Sequence, residues 1–132
     1  MHDSDSWLSQ SQFLVVRHAQ SEENQYWEQE ESVKDRTNLP EEVIYNIFLD
    51  CRLSEAGVEQ ACLLQPLANS FNFADNTVYA SPHVRAIETL CHMLETYPGR
   101  NRLTVVLLPL AKEVLSGYGN IPIKVNELAK YC

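Results

Sequence analysis

Three short apolar runs constrain the fold of this chain more than any other feature. They are residues 13–16, 77–80 and 103–108, and their β-branched side chains are typical of buried strands. The segments between them carry helical patterns, so strand and helix alternate along the chain. This order predicts an α/β fold, a three-layer αβα sandwich whose central sheet is mainly parallel. The apolar run at 103–108 is expected to be a central strand.

Two of the helices have clear start signals. Ser54 is expected to cap a helix that extends to Pro66, because a serine hydroxyl accepts a hydrogen bond from the first turn. Ser81 and Pro82 are expected to open a second helix that runs to about Tyr97. Both helices fit the connections of a parallel sheet.

The length of 132 residues and the 45% hydrophobic content predict one domain, residues 1–132. Residues 1–11 are polar and are expected to form a loose leader. Residues 25–49 are acidic, and two helices are expected around 22–33 and 40–48. We interpret residues 25–49 as an insertion or a lid over a site.

The net charge is −8, and the acidic excess falls within the first 50 residues. Nucleic acid is therefore not expected as a partner. The sequence has no apolar run of about 18 residues and no signal-peptide pattern, so no membrane partner and a cytoplasmic location are expected. The four cysteines lack CxxC spacing, which predicts reduced cysteines and no zinc site.

Polar residues suited to phosphate chemistry follow the predicted strands. Arg17 and His18 come directly after the first strand, and Arg85 lies just beyond the second. In open α/β sheets, ligands bind beyond the carboxyl ends of the strands. A neutral imidazole can attack phosphorus, and guanidinium groups hold phosphate oxygens in a forked geometry. These residues therefore indicate a phosphoryl-transfer site.

Three ordered blocks resemble those of the histidine phosphatase superfamily, the phosphoglycerate mutase-like proteins. Arg17-His18-Ala19 is similar to the RHG signature, with alanine in place of glycine. Residues 50–61 are similar to the LTxxGxxQA helix start, and residues 81–89 to the SPxxRAxxT block. The resemblance implies phosphomonoester hydrolysis through a phosphohistidine intermediate on His18.

The resemblance also implies roles for the surrounding residues. Arg17 and Arg85 bind the phosphate, and Glu113 protonates the leaving oxygen. Ser21 and Asn24 hold phosphate or substrate. No cofactor and no metal are expected, because the arginines neutralise the phosphate charge. The expected substrate is a phosphorylated small molecule or a phosphoprotein.

Several of these residues have a purely structural alternative. Arg85 can instead form a salt bridge with Glu88 or another acidic residue on its own helix. Ser21 and Asn24 can simply cap the helix that follows them. His83, at a variable position of its block, is expected to face solvent near the helix start.

The resemblance further implies a second histidine after a later strand, and no histidine follows Glu113. We therefore expect either a fragment that lacks its C-terminal strands or a reduced homologue with impaired turnover. Glu113 precedes Val-Leu-Ser rather than the Arg-His-Tyr-Gly run of glycolytic mutases, which favours a phosphatase. Mutase-type phosphoryl transfer and a non-catalytic phosphate-pocket binding protein stay open as alternatives.

Overall fold

The computed structural model describes residues 13–29 and 39–111, together with residues 127, 130 and 131. Helices and strands alternate in the second half of the described chain. In chain order the elements are α1 (Glu22–Gln29), α2 (Glu41–Val43, continued by a π-helical turn over Ile44–Phe48), α3 (Glu55–Cys62), α4 (Gln65–Ser70), β1 (Thr77–Ala80), α5 (Val84–Met93) and β2 (Thr104–Leu107).

The two strands form a small parallel sheet. Thr77 of β1 lies opposite Thr104 of β2, and Ala80 lies opposite Leu107. α5 connects the strands and packs against β1, as a parallel pair requires, because the chain must return to the same end of the sheet. The predicted α/β class with parallel strands is confirmed for the described residues.

The first predicted strand does not form. Residues 13–20 have no regular secondary structure, and Phe13 and Val15 are largely exposed. Leu14 and Val16 are half-buried, so the segment buries alternate side chains without joining the described sheet. The prediction of a buried strand here is wrong, because β-branched composition does not supply a pairing partner.

Within the part of the chain that the structure describes, β2 does not lie at the centre of a sheet. Val105 and Val106 are exposed, and β1 is its one hydrogen-bonded neighbour among the described residues. A central strand would be covered on both faces. The expectation of a central strand over residues 103–108 is therefore wrong for the described structure.

α3 begins as predicted and ends earlier. The Gly57 N–H donates to Ser54 Oγ at 3.1 Å, which confirms Ser54 as the cap. The helix ends at Cys62, and Pro66 lies in the first turn of the separate helix α4. Proline has no N–H to donate, so it suits the start of a new helix better than the end of an existing one.

α5 begins later than predicted. Ser81 and Pro82 lie before it, and His83 is the N-cap residue, with φ −73° and ψ 139°. The Val84 N–H donates to Asp50 Oδ1 at 2.9 Å. A carboxylate from a distant part of the chain therefore satisfies the helix start, where an acidic group also interacts favourably with the helix dipole.

α5 connects the sheet to the other helices. Its buried apolar side chains recur at every third residue from Val84 to Met93, so they follow a stripe that winds around the helix. Leu90 and Met93 pack against Ala68 of α4, whereas Val84 and Ile87 pack towards the sheet. α5 has ten residues, and none of the described helices is long and apolar enough to cross a bilayer.

The predicted insertion contains two helices in its described part. Tyr26 and Trp27 of α1 pack around Phe48 in edge-to-face contacts, with ring centroids 5.3 and 5.2 Å from that of Phe48. Phe48 is buried. The expected extension of α1 beyond Gln29 lies outside the described residues. The interpretation of residues 25–49 as a lid stays a prediction.

The cysteines differ in state. Cys91 is disulfide-bonded, so the expectation of reduced cysteines is wrong for this residue. Cys51 and Cys62 are free thiols, and Cys51 is buried while Cys62 is half-buried. The two free thiols therefore differ in access to solvent.

Gly57 allows α3 to approach the segment that carries the predicted nucleophile. A Cβ atom at this position would clash with the carbonyl oxygen of Gln20. The Ser54 N–H donates to the same oxygen at 3.0 Å, and Ser21 forms an antiparallel bridge with Leu53. The approach is therefore fixed by backbone hydrogen bonds and is too close for any side chain.

We expect Gly57→Ala to destabilise the fold by about 1–3 kcal/mol, as overpacking does. At an unobstructed helix position the same change would stabilise by about 1 kcal/mol, so the sign is diagnostic. Urea unfolding followed by circular dichroism measures the difference. Glu59→Ala, at an exposed position of the same helix, is the control, and a Gly57→Ala protein as stable as wild type would contradict the close contact.

Candidate active site

The structure brings His18 and Arg85 into direct contact. His18 lies within the irregular stretch 13–20, and Arg85 lies in the first turn of α5, 67 residues further on. Arg85 Nε donates to His18 Nε2 at 3.3 Å. The predicted nucleophile and a predicted phosphate ligand are therefore neighbours in space.

The partners of His18 define the state of its ring. Nδ1 lies 2.7 Å from the carbonyl oxygen of Ala19, which can only accept a hydrogen bond. The guanidinium N–H of Arg85 can only donate. These two contacts fit the tautomer with the proton on Nδ1 and the lone pair on Nε2, which is the form that attack on phosphorus requires.

Thr89 holds Ala19, the residue that follows the predicted nucleophile. The Ala19 N–H donates to Thr89 Oγ1 at 3.0 Å, and this hydroxyl donates to the Arg85 carbonyl oxygen at 2.7 Å. Thr89 is buried. The sequence includes Thr89 in the SPxxRAxxT block, but its partner 70 residues away could not be identified from spacing.

Arg85 is buried, and Cys51 lies on another side of its guanidinium. Arg85 Nη1 is 3.8 Å from Cys51 Sγ. Burial raises the pKa of the Cys51 thiol. A hydrogen bond with Ser21 and the charge of Arg85 act to lower this pKa, but the effect of burial is larger. The thiol is therefore protonated at neutral pH and is not a competing nucleophile. No sequence pattern indicated this neighbour.

Glu88 pairs with Arg52 rather than with Arg85. Nη2 and Nε of Arg52 lie 2.6 and 2.7 Å from Glu88 Oε1. The Leu53 N–H donates to Glu88 Oε2 at 2.8 Å. The alternative of an ion pair between Arg85 and Glu88 is therefore wrong, because the segment that precedes α3 occupies both carboxylate oxygens.

Ser21 and Asn24 cap α1. The Asn24 N–H donates to Ser21 Oγ at 3.1 Å, and the Ser21 N–H donates to Asn24 Oδ1 at 3.2 Å. This reciprocal pattern is that of a capping box. The capping alternative is thus observed, and a further role in holding phosphate or substrate stays a prediction.

His83 is buried, which contradicts the expectation that it faces solvent. Its Nδ1 lies 3.5 Å from Asp50 Oδ1, and the residue is 2% exposed. The physical reason is the late start of α5. Asp50 caps the Val84 N–H, and His83 is drawn inward against the same carboxylate.

A cavity of about 570 Å³ opens beside this group of residues. Arg17, His18 and Arg85 all line it, and Arg17 is exposed. The rest of its wall is largely apolar and includes Leu14, Val16, Phe73, Val78 and Leu90. Glu113 lies outside the described residues, so its place in the site stays a prediction.

The sequence matches the model of a known protein family. A model of the histidine phosphatase superfamily (branch 1) matches residues 13–117. The chain belongs to the histidine phosphatase superfamily. A search of curated proteins found no match. The resemblance on which the site was predicted is therefore confirmed at the level of this superfamily, whose members are generally phosphatases or mutases.

We expect Thr89→Val to weaken this histidine phosphatase-superfamily fold by about 1–3 kcal/mol, because the Ala19 N–H would be buried without an acceptor. Valine keeps the branched shape, so packing is little changed. Urea unfolding is the measurement. Thr104→Val, at an exposed position on β2, is the matched control, and equal stabilities of the two variants would exclude the role of the hydroxyl.

Proposed function

We propose that this protein hydrolyses phosphomonoesters through a phosphohistidine intermediate on His18. The observation that carries the proposal is the His18 ring held between the Ala19 carbonyl and the Arg85 guanidinium. In that arrangement the lone pair of Nε2 faces the guanidinium of Arg85, and a phosphate oxygen would bind to the same guanidinium. Membership of the superfamily supports the same reaction class.

In the first step, His18 Nε2 forms a bond to phosphorus, and the bond between phosphorus and the ester oxygen breaks. The Nδ1 proton stays on the ring, and its hydrogen bond to Ala19 stabilises the positive charge that develops there. Arg85 and Arg17 bind the remaining phosphate oxygens and stabilise the transition state. Glu113, carried over from the resemblance, gives a proton to the leaving oxygen.

In the second step, a water molecule attacks phosphorus and the phosphorus–nitrogen bond breaks. The water gives one proton to the carboxylate of Glu113, which restores the acid. Inorganic phosphate leaves, and the imidazole of His18 regains its lone pair. Atoms and charge balance without a cofactor.

The apolar wall of the cavity supports a substrate whose leaving group is itself apolar. Phe73, Val78 and Leu90 line the same cavity as the phosphate-binding arginines. An aryl or alkyl group would remove apolar surface from water there, at about 25 cal/mol per Å². We propose a phosphorylated small molecule or a phosphoprotein as the substrate, and p-nitrophenyl phosphate as the first probe.

The phosphohistidine intermediate can be tested by trapping. The protein is mixed with p-nitrophenyl phosphate that carries a radioactive phosphoryl group and is quenched in denaturant. We expect protein-bound label that acid releases and base does not, located on His18 by peptide mapping. His18→Ala should carry none, while His2→Ala in the predicted leader should label normally. Equal labelling of His18→Ala would reject the mechanism.

The role of Arg85 can be tested by Arg85→Lys, which keeps the charge but loses the forked geometry. We expect hydrolysis of p-nitrophenyl phosphate to fall roughly 10- to 100-fold, the effect of losing a charged hydrogen bond in the transition state. Arg100→Lys, in an exposed turn, is the control and should hydrolyse at the wild-type rate. Wild-type turnover in Arg85→Lys would show that the guanidinium is only structural.

A further inference from the structure

Cys62, His92 and Glu95 come together at the opposite end of α5 from the proposed active site. Their ligand atoms, a thiol sulfur, an imidazole nitrogen and a carboxylate oxygen, all lie within 4.8 Å of one another. Cys62 is a free thiol, Cys62 and His92 are half-buried, and Glu95 is exposed. The three side chains are thus accessible and chemically distinct.

The packing of α3 against α5 brings these residues together. Cys62 is the last residue of α3, while His92 lies in the last turn of α5 and Glu95 follows it by three positions. Residues three apart project from the same side of a helical turn. Gln65 Nε2 donates to the His92 carbonyl oxygen at 3.0 Å, which holds the end of α5 beside the start of α4.

The charge distribution at this place favours a cation. Both α3 and α5 end here, at Cys62 and Met93. The carboxyl end of a helix carries a partial negative charge, because its last carbonyl groups have no partner within the helix. The carboxyl ends of α3 and α5 and the carboxylate of Glu95 lie close together here. The backbone of the two helices would therefore help the ligands to stabilise a positive ion.

We propose that Cys62, His92 and Glu95 bind a divalent transition-metal ion, with Zn²⁺ the best match. Thiolate, imidazole and carboxylate are the ligands that zinc takes in proteins, and three protein ligands leave a fourth position for water. In a tetrahedral zinc site, neighbouring ligand atoms are roughly 3.4–3.6 Å apart, which follows from the zinc–ligand distances. Side-chain rotations that bring the ligand atoms about 1.2–1.4 Å closer together close the remaining gap.

Sequence spacing did not indicate this site because its ligands come from two separate helices. CxxC patterns detect ligands within one loop, whereas Cys62 reaches the other two residues only through the α3–α5 packing. A bound ion would tie the two helix ends together and stabilise the folded state by mass action. His92 lies seven residues from Arg85, roughly 10 Å along the helix, so the ion would not touch the phosphate.

The test is a titration of the purified full chain with Zn²⁺ alone, in competition with a coloured chelator. We expect one ion per chain, and at least tenfold weaker binding in Cys62→Ser and in His92→Asn. Glu55→Gln, at the other end of α3, is the control and should bind as wild type does. Wild-type affinity in both Cys62→Ser and His92→Asn would overturn the proposal.

Two further measurements do not depend on affinity or on phosphatase activity. Co²⁺ should give a thiolate-to-metal absorption band in the wild type that Cys62→Ser lacks. Zn²⁺ should raise the Tm of the wild type and leave that of His92→Asn unchanged, while the metal-free Tm values of the two proteins agree. A cobalt band that persists in Cys62→Ser would place the metal on another thiol and reject this site.

Discussion

The hydrogen bond between the Ala19 N–H and the Thr89 hydroxyl attaches an irregular segment to the longest described helix. Residues 17–21 do not belong to a strand, so no sheet positions them. They are held instead by Thr89, by the bridge between Ser21 and Leu53, and by the close approach of Gly57. Because these attachments come from α3, α5 and the turn before α3, the packing of the two helices sets where His18 lies.

The proximity of His18 and Arg85 was implied by the family resemblance of the two motifs that carry them, since the strand expected before His18 does not form. Ser54 as a helix cap was equally predictable, since a cap depends on its own first turn. The prediction of a strand at residues 13–16 is wrong because a strand, unlike a cap, depends on residues far away in the chain. A strand requires a partner, and apolar alternation shows only which face would be buried.

Burial and long-range polar contacts account for the remaining differences. His83 occupies a variable motif position, and only the fold shows that Asp50 draws it into the interior. Cys51 adjoins Arg85 through a contact that joins residues 34 positions apart. Such contacts arise when separate elements pack together, so neither composition nor spacing contains them. The family resemblance supplied the roles of the site residues, whereas the fold supplied their neighbours.

If His18 accepts the phosphoryl group as we propose, its contact with Arg85 has a consequence for product release. The Nε–H group of Arg85 donates to the imidazole of His18. A phosphate oxygen can accept a hydrogen bond from the same N–H only after it has displaced the ring. A hydrogen bond to a charged group contributes about 1.5–3 kcal/mol. Loss of the bond between Arg85 and His18 would therefore reduce the net affinity of Arg85 for inorganic phosphate. Once the phosphorus–nitrogen bond breaks, the imidazole competes again for its donor. In the proposed mechanism, the ring that accepts the phosphoryl group would therefore also help to expel inorganic phosphate and so limit inhibition by the product.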